Sequence, residues 1–255
     1  MGNAWDPERY LKFRAQRREP YEDLLALVQA RTGMRIADLG CGPGELTVDL
    51  AERFDAASVV GVDHSPAMLR RAATVTDPRV SFVQADIADH PLRGLDLIVS
   101  NAALHWLPEH PALFETLRDG LAEDGQLAVQ MPNNFAQPTH TTAAALAGES
   151  PFARVLGSTR SGAAVESAER YATLLHSLGF REQIVREHLY LHELPDAAAA
   201  VEWVKGSMLT WYEPRLGPEL YAEFVRLYEQ RLLANLGPAA PFPFTYRRII
   251  LWARR

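Results

Sequence analysis

A short apolar run, Met34 to Leu39, ends in glycines at alternate positions: Gly40, Gly42 and Gly44. A helical pattern follows from Glu45 to Phe54. The order strand, tight glycine turn, helix constrains the fold more than any other stretch of the chain. In an α/β sheet it brings bare backbone against a ligand at the carboxyl ends of the strands. Glycine permits positive φ and carries no Cβ. Taken alone, the cluster also fits an ordinary βα turn, so its meaning depends on the strands downstream.

The spacing argues against a dinucleotide. The fingerprint G-x-G-x-x-G aims a helix N-terminus at a pyrophosphate. Gly40 and Gly42 fit its first two glycines, but Glu45 stands at the third. A carboxylate there would repel a phosphate from the positive helix end. The Walker pattern is absent as well. The expected ligand is a nucleoside without phosphates. The next strand, Ser58 to Val62, ends at Asp63. An acid at that tip can accept from both ribose hydroxyls. It can instead cap the helix that begins near Pro66, although Ser65-Pro66 is the better cap-and-start pair. A third strand, Val80 to Gln84, leads to Asp86 and Ile87, an acid for an adenine amine beside an apolar residue for its ring. A fourth, Leu95 to Ser100, leads to Asn101, His105 and Trp106. A fifth, Gln126 to Met131, follows the turn Glu123-Asp124-Gly125. Strands alternating with helical patterns predict a parallel α/β sheet.

Four ordered pieces, Asp38 to Gly44, Gly61 to Met68, Gln84 to Asp86 and Asp96 to Asn101, resemble the class I S-adenosylmethionine-dependent methyltransferases. The resemblance implies a Rossmann-like, seven-stranded, mostly parallel sheet with helices on both faces, one antiparallel edge pairing and a helical cap. It places the glycine turn against the methionine part of S-adenosylmethionine, Asp63 at the ribose, Met68 beside the adenine, and Asp86 and Ile87 at its edge and face. The implied cofactor-binding set is Asp38, Leu39, Gly40, Cys41, Gly42, Gly44, Asp63, His64, Met68, Asp86, Ile87 and Asn101.

Further stretches are similar to the trans-aconitate 2-methyltransferase group, nearly end to end. They are Trp5 to Phe13, Gln16 to Pro20, His105 to Pro108, Val129 to Asn134 and Arg248 to Arg255. The chain departs from that group's pattern at Glu19 and Thr210, where arginines are expected. Each change removes a candidate carboxylate clamp, the task arginine suits best. Arg17 and Arg215 are the candidates to replace them. Tyr10, Phe13 and Arg17 share one face of a predicted N-terminal helix. That face reads either as a lid over the site or as a solvated basic helix anchored by two aromatics. The candidate substrate-binding residues are Tyr10, Phe13, Arg17, His105, Trp106, Trp211 and Arg215.

The expected organisation is an arm over 1–30, a cofactor-binding core over 31–134, and a linker with a cap helix over 135–165. A core helix and strand follow over 166–195, then a helical cap over 196–240 and a final strand over 241–255. Glu213-Pro214 and Gly217-Pro218 are expected to split the cap into two helical patterns. With 47% apolar residues among 255, the chain can bury a core, and a net charge of −6 offers no general attraction to nucleic acid or anionic membranes. No apolar run approaches the about 20 residues that span a bilayer. The single cysteine, Cys41, excludes an intramolecular disulfide and points to the cytoplasm. It reads as a small packed side chain or, with no adjacent base evident, less readily as a nucleophile. A monomer or weak dimer acting on a small acid, without metal, nucleic acid or membrane, is the expectation.

Methyl transfer from a sulfonium is an in-line displacement that leaves S-adenosylhomocysteine. A carboxylate acceptor is ionised at neutral pH and needs no general base. A hydroxyl or amine acceptor would need one, and His105 is the candidate. His105 can also be a packed side chain beside Trp106. A cofactor-binding protein without catalysis of its own is the alternative from another class.

Overall fold

The computed structural model describes residues 14–157 and 165–255, with side chains from residue 18 onward. Tyr10 and Phe13 lie outside the described residues. Helix α1 (Arg14–Leu25) precedes β1 (Arg35–Leu39), α2 (Glu45–Arg53), β2 (Ser58–Asp63), α3 (Pro66–Ala72), β3 (Val80–Gln84) and β4 (Leu95–Asn101). A 3₁₀ turn (Leu104–Trp106) leads to α4 (His110–Gly120) and β5 (Leu121–Pro132). Then come α5 (Pro138–Ala147), α6 (Phe152–Leu156), α7 (Ala168–Ser177) and β6 (Glu182–Leu194). The chain ends with α8 (Ala197–Lys205), a second 3₁₀ turn (Met208–Trp211), α9 (Glu213–Leu236) and β7 (Phe242–Arg254).

The strands form one seven-stranded sheet in the order β3-β2-β1-β4-β5-β7-β6. The pairs β1·β2, β2·β3, β1·β4 and β4·β5 are parallel, and β7 pairs antiparallel with β5. This is the mostly parallel sheet expected. The expected turn at Glu123 to Gly125 lies inside β5, where Asp124 takes φ 61° and the pairing with β4 slips near Leu95.

Contacts divide the chain into two units. The larger comprises Glu19–Pro132, Ala164–His188 and Arg248–Arg255. Its central strands are mostly apolar on both faces, because helices cover both faces. Alternate residues feed opposite layers. Ala37, Leu39, Ile98, Leu127 and Val129 pack with Phe114 and Leu117 of α4 and Tyr171 and Leu175 of α7. Ile36, Leu97, Val99 and Ala128 pack with Tyr21 and Leu24 of α1 and Leu50 and Ala51 of α2. Each fully buried large side chain stabilises the fold by about 1.5–3 kcal/mol. Gln126, buried at the start of the central part of β5, accepts from the Gln29 N–H at 2.8 Å and from Trp252 Nε1 at 2.9 Å, and donates to the Gln29 carbonyl at 2.8 Å.

The smaller unit includes Asn133–Ala163 and Leu189–Arg247. Its core mixes aliphatic residues with many aromatics. Phe224 meets Phe152 edge-on at 5.1 Å and stacks on Tyr212 at 4.7 Å, and the Tyr228 hydroxyl donates to the Thr139 carbonyl at 3.0 Å. The expected break at Gly217-Pro218 appears as a kink within α9, with Gly217 at φ 72° and ψ 168°. Glu213-Pro214 starts that helix rather than interrupting one, and the preceding helix, α8, stops earlier, at Gly206. Among the described residues, no helix is long and apolar enough to cross a membrane.

Candidate functional site

The carboxyl ends of β1, β2 and β4 lie side by side. Asp38 is level with Gly61 on one side and Val99 on the other. Ser100 Oγ donates to the Leu39 carbonyl at 2.8 Å and ties β4 to β1 just before the glycine turn.

That turn is held together by its own amides. Gly40 and Cys41 both donate to the Val62 carbonyl, at 2.8 and 3.1 Å, and Gly44 donates to the Cys41 carbonyl at 3.2 Å. Gly42 donates to Asp63 Oδ2 at 2.9 Å, and Pro43 has no N–H to give. From Gly40 to Gly44, no amide remains for an anion, whereas a phosphate cradle presents several. The turn therefore excludes a pyrophosphate on its hydrogen bonding as well as on its spacing.

The glycines serve different ends. A Cβ on Gly40 would lie 2.2 Å from Cβ of Ala103, and one on Gly44 would lie 2.6 Å from Phe82 Cζ. Those two are demanded by packing within the protein. A Cβ on Gly42, at φ +55°, would meet no protein atom within 4 Å, so this glycine faces open space. The expectation that all three glycines bare the backbone to a ligand narrows to Gly42.

Carboxylates surround the turn. Asp63 is buried, and its Oδ1 accepts from the Ser65 N–H at 2.8 Å while Oδ2 holds Gly42. The helix cap is Ser65, whose Oγ accepts from Met68 N, with Pro66 starting α3. Asp63 thus braces the glycine turn, and its carboxylate still has lone pairs to offer. His64 is exposed beside it, and Met68 is half-buried. Asp38 is buried and accepts from Thr47 Oγ1 at 2.7 Å. Burial raises its pKa to about 6, against the lowering effect of the Thr47 bond, and the charge of Asp63 pushes the same way as burial. Cys41 is buried, and burial pushes its thiol up, so it sits as a neutral packed side chain. Asp86 is exposed, with Oδ1 accepting from Ala88 N at 2.9 Å. Ile87 Cδ1 would lie 3.8 Å from a Cβ on Gly40. An acid-lined turn without spare amides suits a ligand that is cationic and rich in hydroxyl and amine donors. S-adenosylmethionine, with its sulfonium, ammonium, ribose and adenine, has that chemistry.

A second turn follows β4. Asn101 Oδ1 accepts from Gln130 Nε2 at 2.6 Å, and Ala102, at φ 54°, donates to the Gln130 carbonyl at 2.9 Å. The 3₁₀ turn then places His105, 8% exposed, against Trp106, 49% exposed, with ring centroids 4.5 Å apart. Sequence reasoning missed the groups that hold this turn. His110 Nε2 lies 3.0 Å from the Leu104 carbonyl and its Nδ1 lies 2.5 Å from the Tyr171 hydroxyl. Nothing in local spacing links residues 110 and 171. Thr47 and Gln130 were missed for the same reason.

In the smaller unit, the Arg215 guanidinium lies 3.9 Å above the Trp211 ring and donates to the Trp211 carbonyl at 2.7 Å. Arg17 lies on α1, and its side chain is outside the described residues. Among the described residues, no cluster of His, Cys, Asp or Glu is arranged to hold a metal ion.

The family model described as a methyltransferase domain matches residues 36–125, which run from β1 into β5 and include both turns. A trans-aconitate 2-methyltransferase of Methylobacterium nodulans is 40% identical over 259 residues, covering 98% of each chain. The chain belongs to the trans-aconitate 2-methyltransferase family. Another relative of that name, from Mycobacterium tuberculosis, is 37% identical over 260 residues, covering 98% of this chain and 96% of its own. The fold is also that of an S-adenosylmethionine-dependent methyltransferase from Mesorhizobium loti, with a TM-score of 0.52, 21% identity and coverage of 92% and 97%. As a member of this family the protein is an S-adenosylmethionine-dependent methyltransferase.

Proposed function

We propose that the enzyme methylates a carboxylate of a small polycarboxylic acid such as trans-aconitate. The observation that carries this reading is the extent of the similarity. Relatives named for that substrate match the whole chain, including the helical unit, whereas the general methyltransferase domain stops at residue 125.

When bound, S-adenosylmethionine supplies an electrophilic methyl group. Asp63 accepts from the ribose hydroxyls while bracing Gly42. Asp38, Leu39 and the turn from Gly40 to Gly44 receive the methionine end, with Asp38 compensating the ammonium. His64, Met68, Asp86 and Ile87 frame the adenosine, and Asn101 closes the carboxyl edge of β4. The remaining task of the chain's own residues would be to bind the acceptor, orient it toward the cofactor's methyl group and exclude water. An ionised carboxylate needs no base. His105 then donates a hydrogen bond or packs beside Trp106, and Tyr10, Phe13, Arg17, Trp106 and Arg215 are the candidates for binding the acid, the arginines through its other carboxylates. The Trp211 stack orients the Arg215 fork. The enzyme works in the cytoplasm as a monomer or weak dimer, needing neither metal nor macromolecular partner.

The test is S-adenosylhomocysteine formation with a panel of small polycarboxylates, followed by mass analysis of the product. A monomethyl ester of trans-aconitate is the expected product. Turnover of hydroxyl or amine metabolites, with none of the acids, would sink the proposal. Substituting Arg17 is expected to raise the acceptor KM more than it alters cofactor affinity.

A further inference from the structure

The turn carrying His105 and Trp106 is anchored by a buried chain of hydrogen bonds whose directions are forced. The Leu104 carbonyl can only accept, so His110 Nε2, 3.0 Å away, carries the proton. Nδ1 of the neutral ring is then an acceptor, and the Tyr171 hydroxyl at 2.5 Å must donate to it. The Tyr171 oxygen in turn accepts from the Glu166 N–H at 3.2 Å. His110, Tyr171 and Leu104 are all buried, and Phe114 packs beside both rings, at 5.9 Å from His110 and 5.5 Å from Tyr171. Burial holds the His110 pKa down and pushes Tyr171 up to about 12, which keeps both groups neutral.

We propose that His110, held between the Leu104 carbonyl and the Tyr171 hydroxyl, is the positioning residue for the turn that presents His105 and Trp106 to the methyl acceptor. The proposal rests on the reading that this turn faces the acceptor. His110 opens α4, and its two ring nitrogens link that helix to the Leu104 carbonyl of the turn on one side and to Tyr171 of α7 on the other. The Tyr171 donor reinforces the tautomer that the Leu104 carbonyl selects. Without it, Nδ1 loses its partner and the ring's hold on the Leu104 carbonyl weakens, leaving that carbonyl to the Leu107 N–H.

Full-length Tyr171→Phe keeps the ring and removes the hydroxyl. Amide exchange should quicken at Trp106 and Leu107, whose N–H groups close the turn onto the Ala103 and Leu104 carbonyls at 3.1 and 2.9 Å. The KM for the best acid of the panel should rise about tenfold, the size of one buried hydrogen bond, with S-adenosylhomocysteine affinity held within about twofold. Adding His110→Gln supplies an amide donor that has no tautomer to choose, so the double variant should recover the acceptor KM. A packing role alone predicts no such recovery. Unchanged KM in folded Tyr171→Phe, or an equal loss of cofactor affinity, overturns the proposal. If Tyr171→Phe does not fold, His110→Leu against His110→Gln gives the same contrast, a raised KM against a near-normal one, and equal values overturn it. A wild-type enzyme that methylates none of the acids sinks the acceptor reading instead. The exchange rates then judge the anchor alone, and unaltered protection at Trp106 and Leu107 overturns it.

Discussion

The turns after β1 and β4 end neighbouring strands and touch through Gly40 and Ala103, yet they are held in different ways. The first is stabilised by residues near it in sequence or one strand away: its amides run to Val62, Asp63 and Cys41. The second is stabilised from a distance, by Gln130 on β5 and by a His110–Tyr171 pair that spans 61 positions. A local turn of this kind is stiff by composition, since changing one glycine alters it at once. A turn held from a distance is adjustable, because the residues that face outward are not the residues that hold it. Both turns lie within residues 36–125, the part of the chain that matches the methyltransferase domain. The second can vary what it presents without disturbing the sheet.

The largest effect should separate glycines within the first turn. Gly40→Ala would drive a methyl group into Ala103 at positive φ, so a loss of about 3 kcal/mol or more in denaturant unfolding is expected. Gly42→Ala meets no protein atom and should cost only about 1–2 kcal/mol from its left-handed backbone, while weakening cofactor binding measured by titration calorimetry. Equal stability losses at the two positions would break the division between packing and ligand-facing glycines.

A smaller effect concerns pH. The Asp38 pKa is raised from 3.8 to about 6, so the neutral acid's contribution to stability is full below about 4 and is lost as pH rises through about 6. A bound ammonium favours the ionised form. Cofactor affinity should therefore rise with pH through about 6 in wild type and stay flat in Asp38→Asn. A flat wild-type profile would remove Asp38 from the cofactor's methionine end. His110 has the opposite sign. Its lowered pKa makes stability fall as pH drops below about 6.5, and His110→Gln should flatten that limb of the curve.

The smallest effect distinguishes the acceptor classes. With a carboxylate acceptor, His105→Ala should raise KM severalfold, and raising the pH should not restore the rate. Recovery at high pH would make His105 a proton acceptor and shift the reading toward hydroxyl or amine substrates.

Much of the first turn is legible in the sequence alone. Gly40, Asp63 and Asp86 announce themselves because strand ends recur at regular spacing and each carries an exposed or bracing acid. For Asp63 the sequence tells half of its role. Its position speaks of a ligand, whereas its hydrogen bonds to Gly42 and Ser65 show that it also builds the turn. Around the second turn, His105 and Trp106 are visible and their support is not. His110 reads as an ordinary residue before a proline, and Tyr171 as an aromatic on a distant amphipathic helix. The boundary expected at Glu213-Pro214 is where α9 begins, because proline at the first turn of a helix starts it.

By itself, the sequence determined the alternation of strands and helices, the glycine turn, the ring of acids and the family. These follow from short-range rules: side-chain period, backbone freedom at glycine, and charge at a strand tip. Only the tertiary structure decided which glycine faces open space, how far burial raises the Asp38 pKa, and what holds the turn after β4. Those depend on desolvation and on partners far away in the chain, which no local spacing encodes.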